Sequence, residues 1–283
     1  MHRIYHLGPS KVPYREIGSG SETIYLVHGY GGHPNHWEHV AEGLKSTYRV
    51  VIPSFTAVFN SREYQLEFDD LVHLLQRFIL DTRRGQERVH LVGASFGGTL
   101  CWAVSSELSD MPASLILLSP MPPFPHRRIR SFWLKVMVAL AVWPPLLYTW
   151  LMTPWGQRGL PRIEDLFLGS EHRLKRRRAF TWNHPRRLGL VVHLLRNFTR
   201  LLGRIRWSFW EPRLMKVAVP VCLVWGRWDR LYETDVPWEL ESRLKNCRFA
   251  HVERAGHLAM KENPDAVLAE IHEFLSNTLQ KIS

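Results

Sequence analysis

Five short, mostly apolar runs rich in branched side chains are spaced along the chain. They cover residues 23–27, 49–52, 89–92, 114–118 and 221–225. Runs of this length and continuity are typical of strands in a parallel sheet that is covered on both faces. Residues 66–82 and 264–280, by contrast, place apolar side chains at helical spacing. This alternation of strands and helices predicts a doubly wound, mostly parallel α/β sheet.

The alternation stops at the proline-rich stretch 120–125 and resumes near residue 219. The residues between these points show no strand pattern and are rich in Trp, Arg and Leu. We therefore expect a helical cap inserted between two strands of the sheet. The predicted division is residues 1–120 and 217–283 for the core domain and residues 121–216 for the cap.

The first motif with chemical content is Gly-Ala-Ser-Phe-Gly, which runs from Gly93 to Gly97 directly after a predicted strand. A helical pattern follows from Thr99, so the serine lies at a strand-to-helix turn. Such a turn lifts the Ser95 hydroxyl clear of the sheet and aims the N–H of Phe96 at the same space. The alternative is a tight structural turn whose serine has no catalytic role.

A second glycine-rich turn, His-Gly-Tyr-Gly-Gly, begins at His28 and also follows a predicted strand. We expect the backbone N–H of Tyr30 to point at a substrate carbonyl, next to that of Phe96. Gly29 permits the turn, and we expect His28 to hold the loop together by hydrogen bonds rather than to transfer protons. The alternative is an ordinary turn between a strand and a helix.

Two later positions complete a set of catalytic residue types. Asp229 lies in a turn after the predicted strand 221–225, and His257 lies in a loop before the last predicted helix. The chain order Ser95, Asp229, His257 is the order expected for a nucleophile, an orienting acid and a general base on such a sheet. His257 would accept the proton of Ser95, and Asp229 would fix the tautomer of the imidazole ring.

The two glycine-rich turns, the turn that carries Asp229 and the loop that carries His257 are four motifs. In this order and spacing, they resemble the α/β-hydrolase superfamily, in its lidded branch of esterases, lipases and C–C hydrolases. The resemblance implies an eight-stranded sheet with a helical lid, and it assigns nucleophile, acid and base to Ser95, Asp229 and His257. It also implies Tyr30 and Phe96 as oxyanion donors. A serine at the elbow, where dehalogenases and epoxide hydrolases carry aspartate, favours acyl transfer to water.

We therefore expect a serine hydrolase that cleaves a carboxylic ester with a hydrophobic acyl group, without a metal or a cofactor. Hydrolysis of an acyl-CoA thioester or of a C–C bond remains open, because both would use the same three residues. From another class, a non-catalytic binding protein that kept the fold is the remaining interpretation.

The charge of the chain is concentrated in the predicted cap. Residues 122–216 hold 19 Lys and Arg against four Asp and Glu, whereas the whole chain has a net charge of +11. The basic positions form two groups: Arg176, Arg177 and Arg178 in one run, and Arg196, Arg200 and Arg204 in one helical stripe. We expect attraction to anionic lipid headgroups, with an anionic acyl-CoA or a merely solvated face as alternatives. No nucleic-acid-binding motif accompanies the charge.

The cap also contains 17 uncharged residues, 136–152, and seven of the 12 tryptophans lie within it. The paired prolines at 144–145 interrupt this segment, so we expect either a cover for an acyl pocket or a patch that dips into a bilayer. Three widely spaced cysteines and the lack of an apolar segment at the N-terminus predict a cytoplasmic protein. The basic, Trp-rich cap predicts that it associates peripherally with membranes.

Overall fold

In the computed structural model, the described residues are 2–59, 66–108, 111–123, 146, 149–150, 153 and 185–280. They form one eight-stranded sheet. The strands are β1 (His2–Leu7), β2 (Ser10–Ile17), β3 (Thr23–Val27), β4 (Arg49–Pro53), β5 (Val89–Ala94), β6 (Ser114–Leu118), β7 (Val221–Gly226) and β8 (Cys247–Val252).

The strands lie in the order β1-β2-β4-β3-β5-β6-β7-β8. From β4 to β8 every neighbouring pair is parallel, and β1 and β2 add an antiparallel edge. The predicted fold class, a mostly parallel eight-stranded sheet flanked by helices, is confirmed. The parallel arrangement brings the ends of β3, β5, β7 and β8 to the same edge, where loops can meet.

Helices cover both faces of the sheet. After a short 3-10 helix (Pro34–Trp37), the described α-helices are α1 (Glu38–Leu44), α2 (Thr56–Phe59), α3 (Phe68–Thr82), α4 (Phe96–Glu107), α5 (Pro185–Arg204), α6 (Trp207–Met215), α7 (Val236–Arg243), α8 (Ala259–Glu262) and α9 (Pro264–Gln280). One core cluster packs α3 to α7 against one face, and a second packs α1, α8 and α9 against the other. Because both faces are covered, the central strands are apolar throughout.

Two of these helices, α5 and α6, lie within the predicted cap. Helix α5 turns Leu201 and Leu202 into the core cluster. Helix α6 packs against α4, where the indole N–H of Trp102 donates to the carbonyl of Leu214 at 2.7 Å. The basic run 173–178 lies outside the described residues, as does most of the apolar segment 136–152. Among the helices that are described, none is both long and apolar enough to cross a membrane.

Three strands have no counterpart among the five predicted apolar runs. Strands β1 and β8 form the two edges of the sheet, and β2 lies next to β1, so their side chains alternate in exposure or stay partly exposed. Strand β2 alternates between buried and exposed positions, and β8 contains Arg and His side chains. Neither strand therefore has the continuous apolar sequence that predicts a strand covered on both faces. Helix α4 also begins at Phe96, three residues before the predicted Thr99.

Candidate active site

Ser95 lies in a strained turn between β5 and α4. Its φ of 51° and ψ of −125° place it in a region that non-glycine residues rarely adopt. Such a backbone costs roughly 1–3 kcal/mol and persists only where surrounding bonds hold it. Here the N–H of Ser95 donates to the carbonyl of Leu118 at 2.9 Å, and its own carbonyl accepts from the N–H of Thr99 at 3.1 Å. The turn therefore presents a half-buried serine hydroxyl at the carboxyl end of β5.

The glycines of this turn allow two backbones to approach closely. A Cβ at Gly97 would collide with the carbonyl of His28, and one at Gly93 would come within 2.6 Å of the Gly97 carbonyl. Any side chain there would push α4 away from the strands, so the elbow sequence needs small residues at both positions.

Three of the predicted site residues form a continuous hydrogen-bonded row. The Nε2 atom of His257 lies 2.9 Å from Oγ of Ser95, and its Nδ1 atom lies 2.8 Å from Oδ2 of Asp229. His257 is only 1% exposed and Asp229 only 8%. Because a carboxylate can only accept, Nδ1 carries the proton and Nε2 is left to accept the hydrogen bond of the serine hydroxyl.

Further groups around this row hold it in place. The other oxygen of Asp229 accepts the N–H of Leu231 at 2.9 Å. The N–H of Gly256, next to the histidine, donates to the Glu262 carboxylate at 3.2 Å. The buried Tyr232 ring lies 6.0 Å from the imidazole ring at 62°. The contacts of Leu231 and Tyr232 depend on loop geometry, and no local sequence pattern predicts them.

The glycine-rich loop after β3 lies against Ser95. A Cβ at Gly29 would stand 3.0 Å from Cβ of Ser95 and 3.6 Å from its Oγ. Tyr30 follows Gly29 directly in this loop. Phe96 is the first residue of α4, where a backbone N–H has no acceptor within the helix. Both predicted oxyanion donors therefore belong to segments that flank Ser95.

His28 is fully buried and hydrogen-bonded through both ring nitrogens. Its Nε2 accepts the N–H of Phe55 at 3.0 Å, and its Nδ1 lies 2.9 Å from the carbonyl of Gly29. Burial lowers the pKa of His28 to about 4, so the ring is neutral near pH 7. In this environment His28 ties the loop after β3 to the loop after β4.

Aromatic rings pack around Tyr30 and form a wall next to the glycine-rich loop. The Tyr30 ring lies 5.1 Å from Phe59 and 6.1 Å from Phe96. From α5, the Phe198 ring approaches both Tyr30, at 4.6 Å, and Phe96, at 6.0 Å. The wall is therefore apolar and includes a residue of the predicted cap.

The predicted basic stripe on α5 is divided among different environments. Arg196 is exposed. Arg200 is half-buried and lines a cleft together with Tyr30 and Asn197. Arg204 forms an ion pair with Glu67, an exposed residue of the predicted core domain, at 3.1 Å. The other predicted basic group, Arg176 to Arg178, lies outside the described residues. Among the described residues, no group of His, Cys, Asp and Glu has an arrangement suited to a metal ion.

With this geometry established, comparison with known proteins defines the class. A family model described as the Alpha/beta hydrolase family matches residues 24–270. This match spans most of the chain, so the protein belongs to the α/β hydrolase family and is a hydrolase.

Two relatives of this chain have names that state a reaction. A 2-hydroxy-6-oxononadienedioate/2-hydroxy-6-oxononatrienedioate hydrolase from Paraburkholderia phymatum is 24% identical, over 94% of this chain and 91% of the relative. A 2-hydroxy-6-oxo-6-phenylhexa-2,4-dienoate hydrolase from Burkholderia cepacia is also 24% identical, over 94% of this chain and 92% of the relative.

Solved structures share the fold at lower identity. A membrane phospholipase A, described as a bacterial virulence factor, superimposes with a TM-score of 0.72 at 20% identity and covers 98% of this chain and 86% of its own. A carboxylesterase from Bacillus subtilis gives a TM-score of 0.71 at 16% identity, with 97% and 91% covered. These similarities establish the fold of the chain.

Proposed function

We propose that this chain is a serine hydrolase that cleaves a carboxylic ester with a hydrophobic acyl group. The observation that carries the proposal is the row from Ser95 Oγ through His257 to Asp229, with distances of 2.9 and 2.8 Å. A strained elbow, a histidine that can accept a proton at Nε2 and an orienting carboxylate are the parts that activate a serine hydroxyl.

The reaction would proceed in two acyl-transfer steps. Oγ of Ser95 attacks the substrate carbonyl while Nε2 of His257 takes its proton, and the N–H groups of Tyr30 and Phe96 hold the resulting oxyanion. The tetrahedral intermediate expels the alcohol, which receives the proton from His257. Water then attacks the acyl-enzyme with His257 again as base, and the acid leaves as Ser95 is restored.

The aromatic wall supports an apolar acyl group. Phe59, Phe96 and Phe198 surround the ring of Tyr30, whose backbone is one of the proposed oxyanion donors. An acyl chain that reached this wall would bury its apolar surface against the partly exposed rings of Tyr30 and Phe198, at about 25 cal/mol per Å².

A second candidate is C–C bond hydrolysis of a dienoate, for which the two curated relatives are named. Such substrates carry carboxylate groups, and Arg200 with Asn197 lines the cleft beside Tyr30. The same guanidinium would suit the phosphates of an acyl-CoA thioester, so the choice between these reactions requires substrates.

We also propose that an anionic membrane surface is a partner, approached by the basic and aromatic side of the predicted cap. The guanidinium groups of Arg206 and Arg213 lie 4.8 and 3.5 Å from the ring centre of Phe209 on α6. Exposed Arg196 on α5 would add charge to that side. Alternating cationic and aromatic side chains suit the boundary between headgroups and acyl chains.

Labelling with a fluorophosphonate probe tests the proposed function. Wild type should be labelled and Ser95→Ala should not, while both keep the same melting temperature. A series of p-nitrophenyl esters of increasing chain length, run beside an acyl-CoA and 2-hydroxy-6-oxo-6-phenylhexa-2,4-dienoate, then identifies the bond that is cleaved. Repeating the assays with anionic and with neutral vesicles, and measuring binding to both by co-sedimentation, tests the membrane proposal.

Each arm of this experiment has a decisive outcome. Labelling that survives in Ser95→Ala, or a folded wild type that is never labelled with or without vesicles, would refute the serine mechanism. Turnover of the dienoate with no turnover of any ester would replace the ester proposal by the second candidate. Equal binding to anionic and neutral vesicles would show that the basic residues form a solvated surface with no role in membrane binding.

A further inference from the structure

Helix α5 contacts the side chains of both proposed oxyanion donors through one residue. The Phe198 ring lies 4.6 Å from the Tyr30 ring, tilted by 33°, and 6.0 Å from the Phe96 ring, nearly perpendicular at 85°. Edge-to-face and tilted contacts at these distances are attractive and directional. A residue from the predicted cap therefore packs on the side chains of both proposed oxyanion donors.

The hydroxyl of Tyr30 adds a second link to the same helix. It donates to the carbonyl of Leu194 at 3.1 Å, one turn before Phe198. Burial raises the pKa of the Tyr30 hydroxyl far above its ordinary value, so it remains a proton donor. Ring and hydroxyl thus fix the Tyr30 side chain to two successive turns of α5.

Two side chains outside the turn hold the backbone around Tyr30: Nδ1 of His28 lies 2.9 Å from the carbonyl of Gly29, and the hydroxyl of Thr56 donates to the carbonyl of Gly32 at 3.2 Å. Gly29 precedes Tyr30, and Gly31, with a φ of 68°, and Gly32 follow it. A hydrogen bond from the N–H of Gly32 to the carbonyl of Gly29, at 3.0 Å, closes the turn. It leaves the tilt of the turn toward Ser95 to other contacts, because glycine imposes few backbone preferences. The side chain of Tyr30, which is anchored on α5, joins these contacts in setting that tilt.

We propose that Phe198 and the Tyr30 side chain are positioning residues through which α5 sets the geometry of the oxyanion hole. This inference rests on the proposed serine mechanism and adds a coupling between the cap helix and the rate of the chemical step. Movement of α5 toward or away from the sheet would then change kcat through the direction of the Tyr30 N–H.

Two variants and two matched controls test the coupling. Phe198→Ala removes the ring from α5, and Tyr30→Phe removes only the hydroxyl while keeping the ring and the N–H. Leu202→Ala is the control for Phe198→Ala, since Leu202 is a buried apolar residue of the same helix. Tyr25→Phe is the control for the hydroxyl, because Tyr25 lies elsewhere in the core and its hydroxyl bonds to Thr82 at 2.9 Å.

The readouts are kcat and KM for one p-nitrophenyl ester, the inhibition constant of a matching trifluoromethyl ketone, and the melting temperature. Loss of one oxyanion donor costs about 10²–10³ in kcat, so a misdirected donor should cost about tenfold in Phe198→Ala and less in Tyr30→Phe. The ketone forms an oxyanion on the serine, so its affinity should fall by the same factor as kcat/KM. Both controls should keep kcat within about twofold, even where the melting temperature falls.

The possible failures are distinguishable. Equal losses of kcat in Phe198→Ala and Leu202→Ala, or a raised KM at constant kcat in Phe198→Ala, would overturn the coupling and leave the serine mechanism intact. A wild type without Ser95-dependent labelling would overturn both proposals together.

Discussion

Two hydrogen-bonded rows, each made of a serine, a histidine and a carboxylate, lie at opposite ends of the strands of the same sheet. The Ser95 row, with His257 and Asp229, lies at the carboxyl ends of the strands. The Ser114 row, with His90 and Glu22, lies at the amino ends. In the second row, Nδ1 of His90 is 2.8 Å from Oγ of Ser114, and Nε2 is 3.0 Å from the Glu22 carboxylate. By distance alone, the two rows are equivalent.

Their surroundings separate them. Ser114 is the first residue of β6 and is fully buried, and it pairs directly with His90 across neighbouring strands in the sheet. Ser95 is half-buried at a strained elbow, with the N-terminus of α4 and the glycine-rich loop beside it. A hydrogen-bonded row becomes a candidate site only where a substrate can reach the serine and where N–H groups can hold an oxyanion. The Ser114 row instead satisfies polar groups that the sheet buries.

The largest predicted difference between the rows concerns their acids. Asp229→Asn should lower kcat about 10⁴-fold, because the amide no longer holds His257 in the tautomer that accepts the serine proton. Glu22→Gln should leave kcat within about twofold, because its row touches no substrate. Steady-state hydrolysis of one p-nitrophenyl ester measures both. A loss in Glu22→Gln comparable to that in Asp229→Asn would contradict this separation of roles.

The contrast also shows what the sequence could predict. The central strands were predicted because both of their faces are apolar, and Ser95, Asp229 and His257 stood out because motif and chain order agree. The structure brings these three residues together within hydrogen-bonding distance. Their catalytic roles stay predictions until an activity is measured.

What the sequence could not predict depends on contacts between distant residues. His90 and Ser114 belong to no motif, since their bond follows from strand register. The contact between Tyr30 and Phe198 joins residues that no local pattern connects. The edge strand β8 was missed for a different reason, because its partly exposed positions interrupt the apolar run.

A smaller effect should separate two buried serines in stability. Ser114→Ala leaves the buried Nδ1 of His90 without its partner, which should cost about 1–3 kcal/mol in the free energy of unfolding. Ser105→Ala is the control, because the Ser105 hydroxyl donates to the backbone carbonyl of Cys101 at 2.8 Å, and that carbonyl keeps its backbone hydrogen bond within α4. Urea unfolding at pH 7 measures both variants. Equal losses would show that the Ser114 row contributes nothing beyond an ordinary buried hydroxyl.

The smallest predicted effect is a difference in acid sensitivity. The hydrogen bond from His90, followed by the nearby charges of His90 and Arg88, holds the pKa of Glu22 below its usual value of 4.5. The unfolded chain therefore takes up this proton more readily, so the stabilisation is complete above about pH 4.5 and is lost as the pH falls through the lower folded pKa. Glu22→Gln lacks this proton uptake.

From pH 7 to pH 3.5, wild type should lose more stability than Glu22→Gln, as measured by urea midpoints at each pH. Glu42→Gln is the surface control: Glu42 also has a lowered pKa, through its bond to Lys45, but it lies in solvent, where screening makes such pairs weak. Its pH dependence should follow that of wild type. If Glu22→Gln does so as well, the Glu22 bond is too solvated to matter, and the Ser114 row reduces to the single bond between Ser114 and His90.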